Sequence, residues 1–368
     1  MISPNNFDRQ WASIGRDVIA AVERVGSSGR YILGPEVERF ENNLAEYCDA
    51  THVVGVANGL DALEISLRCL GLRAGQKVLT TPFSAFATTL AILRAGGIPV
   101  FVDVDDSGNL DLDQAREILT LDRSIRFLLP VHLYGNPLDL EKLAGLKKDF
   151  DLLMVEDCAQ AIGASYGGRA VGTVGQAAGI SFYPTKNLGA LGDAGAVLTK
   201  DAELVTKARM FRNYGQTAPY LHDEVGLNSR LDELQAAILT DALLPCLETW
   251  TEKRRSIAAR YVDEIRNPNV RTLKTMAASQ PVWHIFPLFA DKSEALASHL
   301  GQAQIQTLVH YPRVIPDQRA CQQARCETAA EPVNARKLAA TEVSLPIHPF
   351  LEEKEIAEII RAVNEFHG

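Results

Sequence analysis

The sequence predicts an α/β fold, with a large domain built on a mostly parallel central sheet and a smaller C-terminal α/β domain after it. Short apolar runs of strand length recur near 52–56, 77–81, 99–104, 126–133, 152–156, 177–183 and 195–199. Helix-period stretches fall between several of them, at 60–70, 84–95, 111–119 and 139–148. Such alternation gives parallel strands joined by right-handed crossovers. With 368 residues, 46% of them hydrophobic and 23% charged, the chain can bury one large and one smaller core.

Taken in order, Thr51 to Val56 read as a strand, Ala57-Asn58-Gly59 as a turn and Leu60 to Leu67 as an amphipathic helix. Backbone N–H groups at Gly59 and Leu60, at the positive end of that helix, would face an anion. The strand Lys77 to Pro82 leads into Phe83-Ser-Ala-Phe86 and a helix running to about Ala95. At this junction either Phe83 or Phe86 could stack on a flat ligand or simply pack in the core. Leu152 to Val155 form a continuous apolar block, read as a strand buried on both faces. Asp157 then falls just beyond its carboxyl end, where open α/β sheets bind ligands. The run Ala177 to Tyr183, with the hydroxyl of Ser181, delivers Lys186 into a turn, and a glycine-rich segment, Gly189 to Gly195, follows.

The turn-rich segment Tyr166 to Gly175 is expected to cross near the ligand. Leu231 to about Ile265 is mainly helical, with Pro245 as a break. Residues 282–289 and 305–310 read as strands of the smaller domain, and Glu352 to Phe366 as its closing helix. The division is placed at 1–247 and 248–368.

Lys186 and Asp157 carry chemistry together that neither carries alone. A lysine at the mouth of a buried sheet can lose its proton and attack an aldehyde, which is how pyridoxal phosphate is anchored as a Schiff base. A carboxylate at a strand end can hold the pyridine nitrogen of that cofactor protonated, and a charge-assisted hydrogen bond of this kind contributes about 1.5–3 kcal/mol.

Composition narrows the alternatives. A net charge of −9 opposes sequence-independent nucleic-acid binding, which needs a basic footprint. The six cysteines (48, 69, 158, 246, 321, 326) show no C-x-x-C spacing, and the eight histidines form no H-E-x-x-H cluster, so no metal site is expected. Without a secretory leader at Met1-Ile-Ser-Pro-Asn-Asn6 or a membrane-length apolar run, the sequence points to reduced thiols in a cytoplasmic protein. His132 and His284 are read as structural. Arg212, Arg230 and Arg313 are candidate contacts for an anionic substrate.

Three ordered blocks are more specific: Glu156-Asp-Cys-Ala-Gln160, Ser181-Phe-Tyr-Pro-Thr-Lys-Asn187 and Asn228-Ser-Arg-Leu-Asp-Glu-Leu-Gln-Ala236. With them, nearly the whole chain resembles the DegT/StrS type of nucleotide-sugar aminotransferase, within the fold-type I pyridoxal phosphate enzymes. The resemblance implies that Lys186 is the Schiff-base lysine and Asp157 the partner of the pyridine nitrogen. It further implies that Gln160 contacts the ring hydroxyl, that Phe86 rather than Phe83 stacks on the ring, and that Gly59, Leu60 and Ser181 bind the phosphate. Many relatives carry threonine or serine where this chain has Leu60, so here only a backbone N–H is offered. Asn228 would reach the phosphate of a neighbouring subunit, making the active site that of a homodimer.

The donor implied is L-glutamate. The acceptor implied by Ile305 to Pro312, with Val282-Trp-His284 upstream, is a dTDP-linked 3-keto-6-deoxyhexose aminated at C-3, with His310 facing the sugar or its diphosphate. Those relatives often carry another histidine where this chain reads Arg313 to Gln318, which leaves C-4 amination of a nucleotide-linked 4-keto sugar as an alternative. A pyridoxal phosphate-dependent sugar dehydratase is opposed by Lys186, which such relatives replace with histidine. A non-catalytic homologue is opposed by intact Lys186, Asp157 and Gln160.

Overall fold

The computed structural model describes residues 1–368. Its central sheet has eight strands, seven of them from the first 200 residues: β1 (His52–Val56), β2 (Lys77–Thr80), β3 (Ile98–Phe101), β4 (Phe127–Leu129), β5 (Leu153–Asp157), β6 (Ala177–Ser181) and β7 (Gly195–Thr199). Their spatial order is β1-β7-β6-β5-β4-β2-β3, and the eighth, Glu327–Thr328, lies beside β3. All pairs are parallel except those of β7, which runs antiparallel to both β1 and β6. The exception has a local cause: no crossover helix separates β6 from β7, so the chain turns straight back. That reversal carries Lys186.

Helices α1 (Phe7–Ser28), α2 (Pro35–Tyr47), α3 (Gly59–Cys69), α4 (Phe86–Arg94), α5 (Leu112–Leu121) and α6 (Leu140–Asp149) surround the sheet. Alternate residues of one strand serve opposite layers. Leu128 and Met154 pack with α5 and α6, whereas Phe127, Leu129 and Val155 pack with α3 and α4. The second cluster continues into Tyr261, Phe286, Phe289 and Ile359, so one apolar core spans the expected boundary at 247/248. The chain also crosses that boundary in both directions. Ile2 N–H donates to Gln304 (2.7 Å), and Glu327 pairs with Val100 on β3.

The helical stretch from Leu231 is interrupted over 239–246, around Pro245, before the long helix Leu247–Glu264. Proline supplies no N–H to the helical ladder, as the sequence reading anticipated. Two expected strands shrink. Of 282–289 only Phe286–Phe289 pairs, with Glu342–Leu345, and 305–310 is reduced to isolated bridges at Ile305 and Leu308. The N–H groups of Val282 and His284 donate instead to the main chain of Gly135 and Tyr134, each at 3.0 Å. Helix α1 had no counterpart in the sequence reading, although Phe7, Trp11, Ile14, Val18, Ala21 and Val25 recur at helical spacing along one face. Ile14, Val18, Ala21 and Val25 are buried, while Phe7, Trp11, Ile19 and Val22 are exposed. No helix is long and apolar enough to cross a membrane.

Candidate active site

The carboxyl ends of the parallel strands and the start of α3 open on one cavity of about 390 Å³, within the usual range for a small-molecule site. Gly59, Leu60, Asp157, Gln160, Ser181 and Lys186 all line it. At one end, Asn58 caps α3 by accepting from Asp61 N–H (2.8 Å). The N–H groups of Gly59 and Leu60, in the first turn, have no helical acceptor and remain for an anion. Close packing shapes this end. A Cβ on Gly59 would lie 2.7 Å from the Ser181 Cβ, and one on Gly195 would lie 2.3 Å from the Asn58 carbonyl carbon.

At the other end Asp157 terminates β5. Its carboxylate accepts from the Thr88 hydroxyl (2.8 Å) and from Ala159 N–H (3.1 Å), and Thr88 in turn meets Ser84 Oγ at 2.9 Å. Burial raises the Asp157 pKa, and these donors and the Lys186 charge offset that only in part. The preceding residue does different work. Glu156 is fully buried and accepts from Gly172, Val174 and Gly175 N–H and from His132 Nε2, at 2.7–3.0 Å. Burial alone would raise its pKa, but these bonds bring it below the ordinary value. The turn-rich segment, expected near the ligand, is thus pinned to Glu156 and contributes nothing to the cavity lining. His132, Glu156 and Cys158 do come within 4.8 Å of one another. Both His132 nitrogens are engaged, however, since Nδ1 accepts from Leu138 N–H (3.1 Å). His132 and Glu156 form a buried hydrogen-bonded pair that fixes the end of β5, with the Cys158 thiol beside it.

Lys186 projects into the cavity from the β6–β7 reversal. Burial lowers its pKa to about 8, against an opposing pull from Asp157. Its Nζ lies 3.5 Å from His284 Nε2, a contact the sequence reading missed in taking His284 as structural. His284 is held well below its ordinary pKa by burial first and then by the charges of Lys186 and Arg254, so it meets the amine as a neutral imidazole. Its Nδ1 is buried without a partner. The backbone places it there by an unusual turn: Trp283 has φ 47°, and Tyr134, which accepts from His284 N–H, has φ 61°. Bulky residues seldom occupy this left-handed region, and such positions gather at functional sites. No periodicity signal in the sequence marks them.

Gln160 is fixed from both sides. Its Oε1 accepts from Tyr134 N–H (2.6 Å), and its Nε2 donates to the Tyr311 hydroxyl (3.1 Å), leaving one amide proton for a ligand. His310 lies beyond His284 in a smaller adjoining cavity of about 160 Å³. Phe86, Phe83, Asn228 and Arg212 all stand apart from the main cavity. Phe86 is half-buried against Phe101, Ile315 and Cys321, although Ala85 and Ala87 on either side of it line the cavity. Phe83 is fully buried between Tyr134 and Tyr311. Asn228 is exposed on the surface, paired with Asn213. Arg212 is buried and engaged with Glu41 (2.7 Å) and the Gly55 carbonyl (2.8 Å), which withdraws it from the candidate substrate contacts.

This donor set fits pyridoxal phosphate: unpartnered N–H groups at a helix start, a buried carboxylate facing the cavity, and an amine of lowered pKa between them. Residues 12–364 match the model of the DegT/DnrJ/EryC1/StrS aminotransferase family. The chain is 42% identical to dTDP-3-amino-3,4,6-trideoxy-alpha-D-glucose transaminase of Streptomyces venezuelae, over 94% of this chain and 91% of that one. It is 40% identical to dTDP-3-amino-3,6-dideoxy-alpha-D-galactopyranose transaminase of Aneurinibacillus thermoaerophilus, over 95% of each. Among solved structures it resembles S. venezuelae DesV in complex with a ketimine intermediate, with a TM-score of 0.93 and 40% identity over 98% of this chain and 96% of that one. The chain therefore belongs to the DegT/DnrJ/EryC1/StrS family and is a pyridoxal phosphate-dependent aminotransferase of the fold-type I architecture.

Proposed function

We propose that this enzyme moves an amino group from L-glutamate to C-3 of a dTDP-linked 3-keto-6-deoxyhexose, in the cytoplasm and as a homodimer. The observation that carries the reading is the convergence of the Lys186 amine, the Asp157 carboxylate and the Gly59 and Leu60 N–H groups on one cavity. The choice of C-3 and of dTDP follows the two transaminase relatives, both named for 3-amino dTDP sugars. Six free cysteines accord with a reducing compartment.

Each residue has a defined task. The bound cofactor supplies an aldehyde for the Lys186 amine and a protonated ring that withdraws electrons from the bond to be broken. Asp157 keeps that ring nitrogen protonated, and Thr88 and Ala159 orient the carboxylate. Gly59, Leu60 and Ser181 hold the phosphate and Gln160 the ring hydroxyl, whereas Phe86 would have to turn from its packing against Phe101 and Ile315 to cover a ring face. Lys186 Nζ, once released, takes a proton from the substrate α-carbon and returns it at the cofactor C4′; a pKa of about 8 suits both directions near neutral pH. His310 faces the sugar.

A second copy would complete the site. Beside the lysine-bearing turn runs an apolar groove of about 380 Å³, lined by Phe7, Trp11, Ile14, Pro184, Ala190 and Leu191. Trp11 and Leu191 are left 48% and 45% exposed, more than an isolated surface comfortably leaves to water. We take this groove as the candidate homodimer contact; in such a dimer Asn228 would serve the phosphate of the neighbouring subunit, as the family resemblance implies.

The direct test supplies glutamate-loaded enzyme with a dTDP-3-keto-6-deoxyhexose or with its 4-keto isomer and locates the new amine by NMR. Amination of the 3-keto sugar alone is the expected result. Amination of the 4-keto isomer alone would replace the C-3 assignment.

A further inference from the structure

The smaller cavity beyond His284 has a polar wall that the reaction as described leaves unused. Glu342 and Ser344 lie on the strand Glu342–Leu345, and the segment bearing His310 is tied to it through Ser344 N–H and the Leu308 carbonyl (2.8 Å). Glu342 is 1% exposed and Ser344 4%. The Glu342 Oε2 accepts from the His310 backbone N–H (2.6 Å). Its Oε1 meets the Ser344 hydroxyl, and that hydroxyl meets His310 Nδ1 at 2.7 Å. His310 Nε2 has no protein partner and is left to whatever enters the cavity.

We propose that Glu342 and Ser344 form a relay that decides which ring nitrogen of His310 carries the proton, turning His310 from donor to acceptor toward the sugar when Glu342 ionises. This rests on the reading of His310 as a sugar-facing residue. The logic is a count of protons. Ser344 has a single hydroxyl proton for two neighbours. With Glu342 protonated, the acid proton must sit on Oε1, because Oε2 already faces an N–H. Oε1 then donates to Ser344, Ser344 donates to Nδ1, and the imidazole proton resides on Nε2. With Glu342 ionised, Ser344 donates to Oε1 and accepts from Nδ1–H, and Nε2 presents a lone pair. One proton leaves for solvent overall, and the ring proton changes nitrogen through exchange in the cavity.

The surroundings make the switch accessible. The groups acting on Glu342 are the hydroxyl of Ser344, the backbone N–H of His310 and the phenols of Tyr134 and Tyr311; no cation compensates it. Burial therefore raises its pKa to about 8, with Ser344 and His310 N–H opposing. His310 itself is lowered to about 4 by burial and then by the Lys186 charge, so it stays neutral while its tautomer changes. At neutral pH the relay presents an Nε2–H donor, suited to a keto or diphosphate oxygen.

The test uses pyridoxal phosphate-loaded enzyme with ¹⁵N-labelled histidine. In wild type, the His310 shifts, assigned with a His310→Gln control, are expected to move from the Nε2–H to the Nδ1–H pattern between pH 7 and 9.5. In Glu342→Gln the amide oxygen must serve His310 N–H, so the amide nitrogen donates to Ser344 and locks the Nε2–H form at every pH. Ser344→Ala breaks the relay and should abolish the pH response while retaining the fold. Lys186 titrates in the same range, so kinetics are read as a difference between proteins. From pH 7 to 9, the keto-sugar half-reaction should lose about tenfold more rate in wild type than in Glu342→Gln, from the fraction protonated around a pKa of about 8. The glutamate half-reaction should show no such difference. A wild-type tautomer that stays constant, or a Glu342→Gln protein that follows wild type, overturns the relay. Failure of glutamate to react at all counts against the proposed function instead, and the histidine spectra still decide the relay.

Discussion

The floor of the site and its far wall differ in how many partners they give a buried carboxylate: burial raises the pKa of both Asp157 and Glu342, but only on the floor does a cationic amine oppose it. On the floor, Asp157 is oriented by Thr88 and Ala159 N–H and faces the amine of Lys186, and Glu156 beside it collects four donors. These carboxylates have partners for their negative charge. On the wall, Glu342 has only a hydroxyl and one N–H, with phenols beyond, and its pKa rises to about 8. Two histidines on the same side, His284 and His310, are kept neutral by burial and by Lys186. The floor suits a charged cofactor that stays, and the wall suits a polar substrate that comes and goes.

The sharpest way to break the comparison is on the floor. Lys186→Ala removes both the anchoring amine and the proton carrier, and turnover should fall by at least ~10²–10⁴-fold, the usual range for loss of a general acid–base group. Stopped-flow absorbance would measure it, and turnover near wild type would remove Lys186 from the mechanism. Asp157→Asn takes away the charge-assisted bond to the ring nitrogen, about 1.5–3 kcal/mol. Cofactor affinity should drop roughly 10–100-fold in a fluorescence titration, with a further loss in the rate of proton transfer.

Glu156→Gln probes a purely structural carboxylate. Converting an acceptor-only group into a half-donor leaves at least one of the Gly172, Val174 or Gly175 N–H groups unpaired, at about 1–3 kcal/mol. Urea unfolding should show that loss, while the activity of the remaining folded enzyme changes little.

On the wall the effect depends on pH. The folded-state pKa of Glu342 lies above its ordinary value of 4.5, so the folded protein holds that proton more tightly than the unfolded chain. Wild-type stability is then lost as pH rises from about 4.5 through about 8. Glu342→Gln, which cannot ionise, should gain on wild type across this window and hold a constant advantage above it, read as urea midpoints. A difference independent of pH would mean that Glu342 ionises normally. The smallest expected effect is at Leu60. Leu60→Thr adds one hydroxyl near the phosphate, and about 0.5–1.5 kcal/mol of added cofactor affinity should follow by the same titration.

The floor was legible because its parts are local. Asp157 and Gln160 lie three residues apart at one strand end, Ser181 and Lys186 five apart at the next, and Gly59 opens a helix directly after a strand. Residue type and spacing therefore carry the chemistry. The wall is assembled from residues near 134, 284, 310 and 342, joined through main-chain bonds that periodicity does not report. His284 looked structural because nothing near it in sequence shows that Trp283 takes a left-handed turn toward Lys186. Helix α1 is a different case, since Phe7, Trp11, Ile14, Val18, Ala21 and Val25 follow each other every three or four residues on one face and were legible in the sequence. The reversal that carries Lys186 was seen as a turn, but its consequence, an antiparallel β7 in a parallel sheet, was not.

The most direct measurement is the visible absorption spectrum of the purified protein with pyridoxal phosphate, recorded before and after L-glutamate with no keto sugar present, beside Lys186→Ala. A lysine-bound cofactor band is expected in wild type, replaced by that of pyridoxamine phosphate when glutamate is added, with no such starting band in the variant. A wild-type protein that shows no lysine-bound band when pyridoxal phosphate is supplied would contradict the account at its centre.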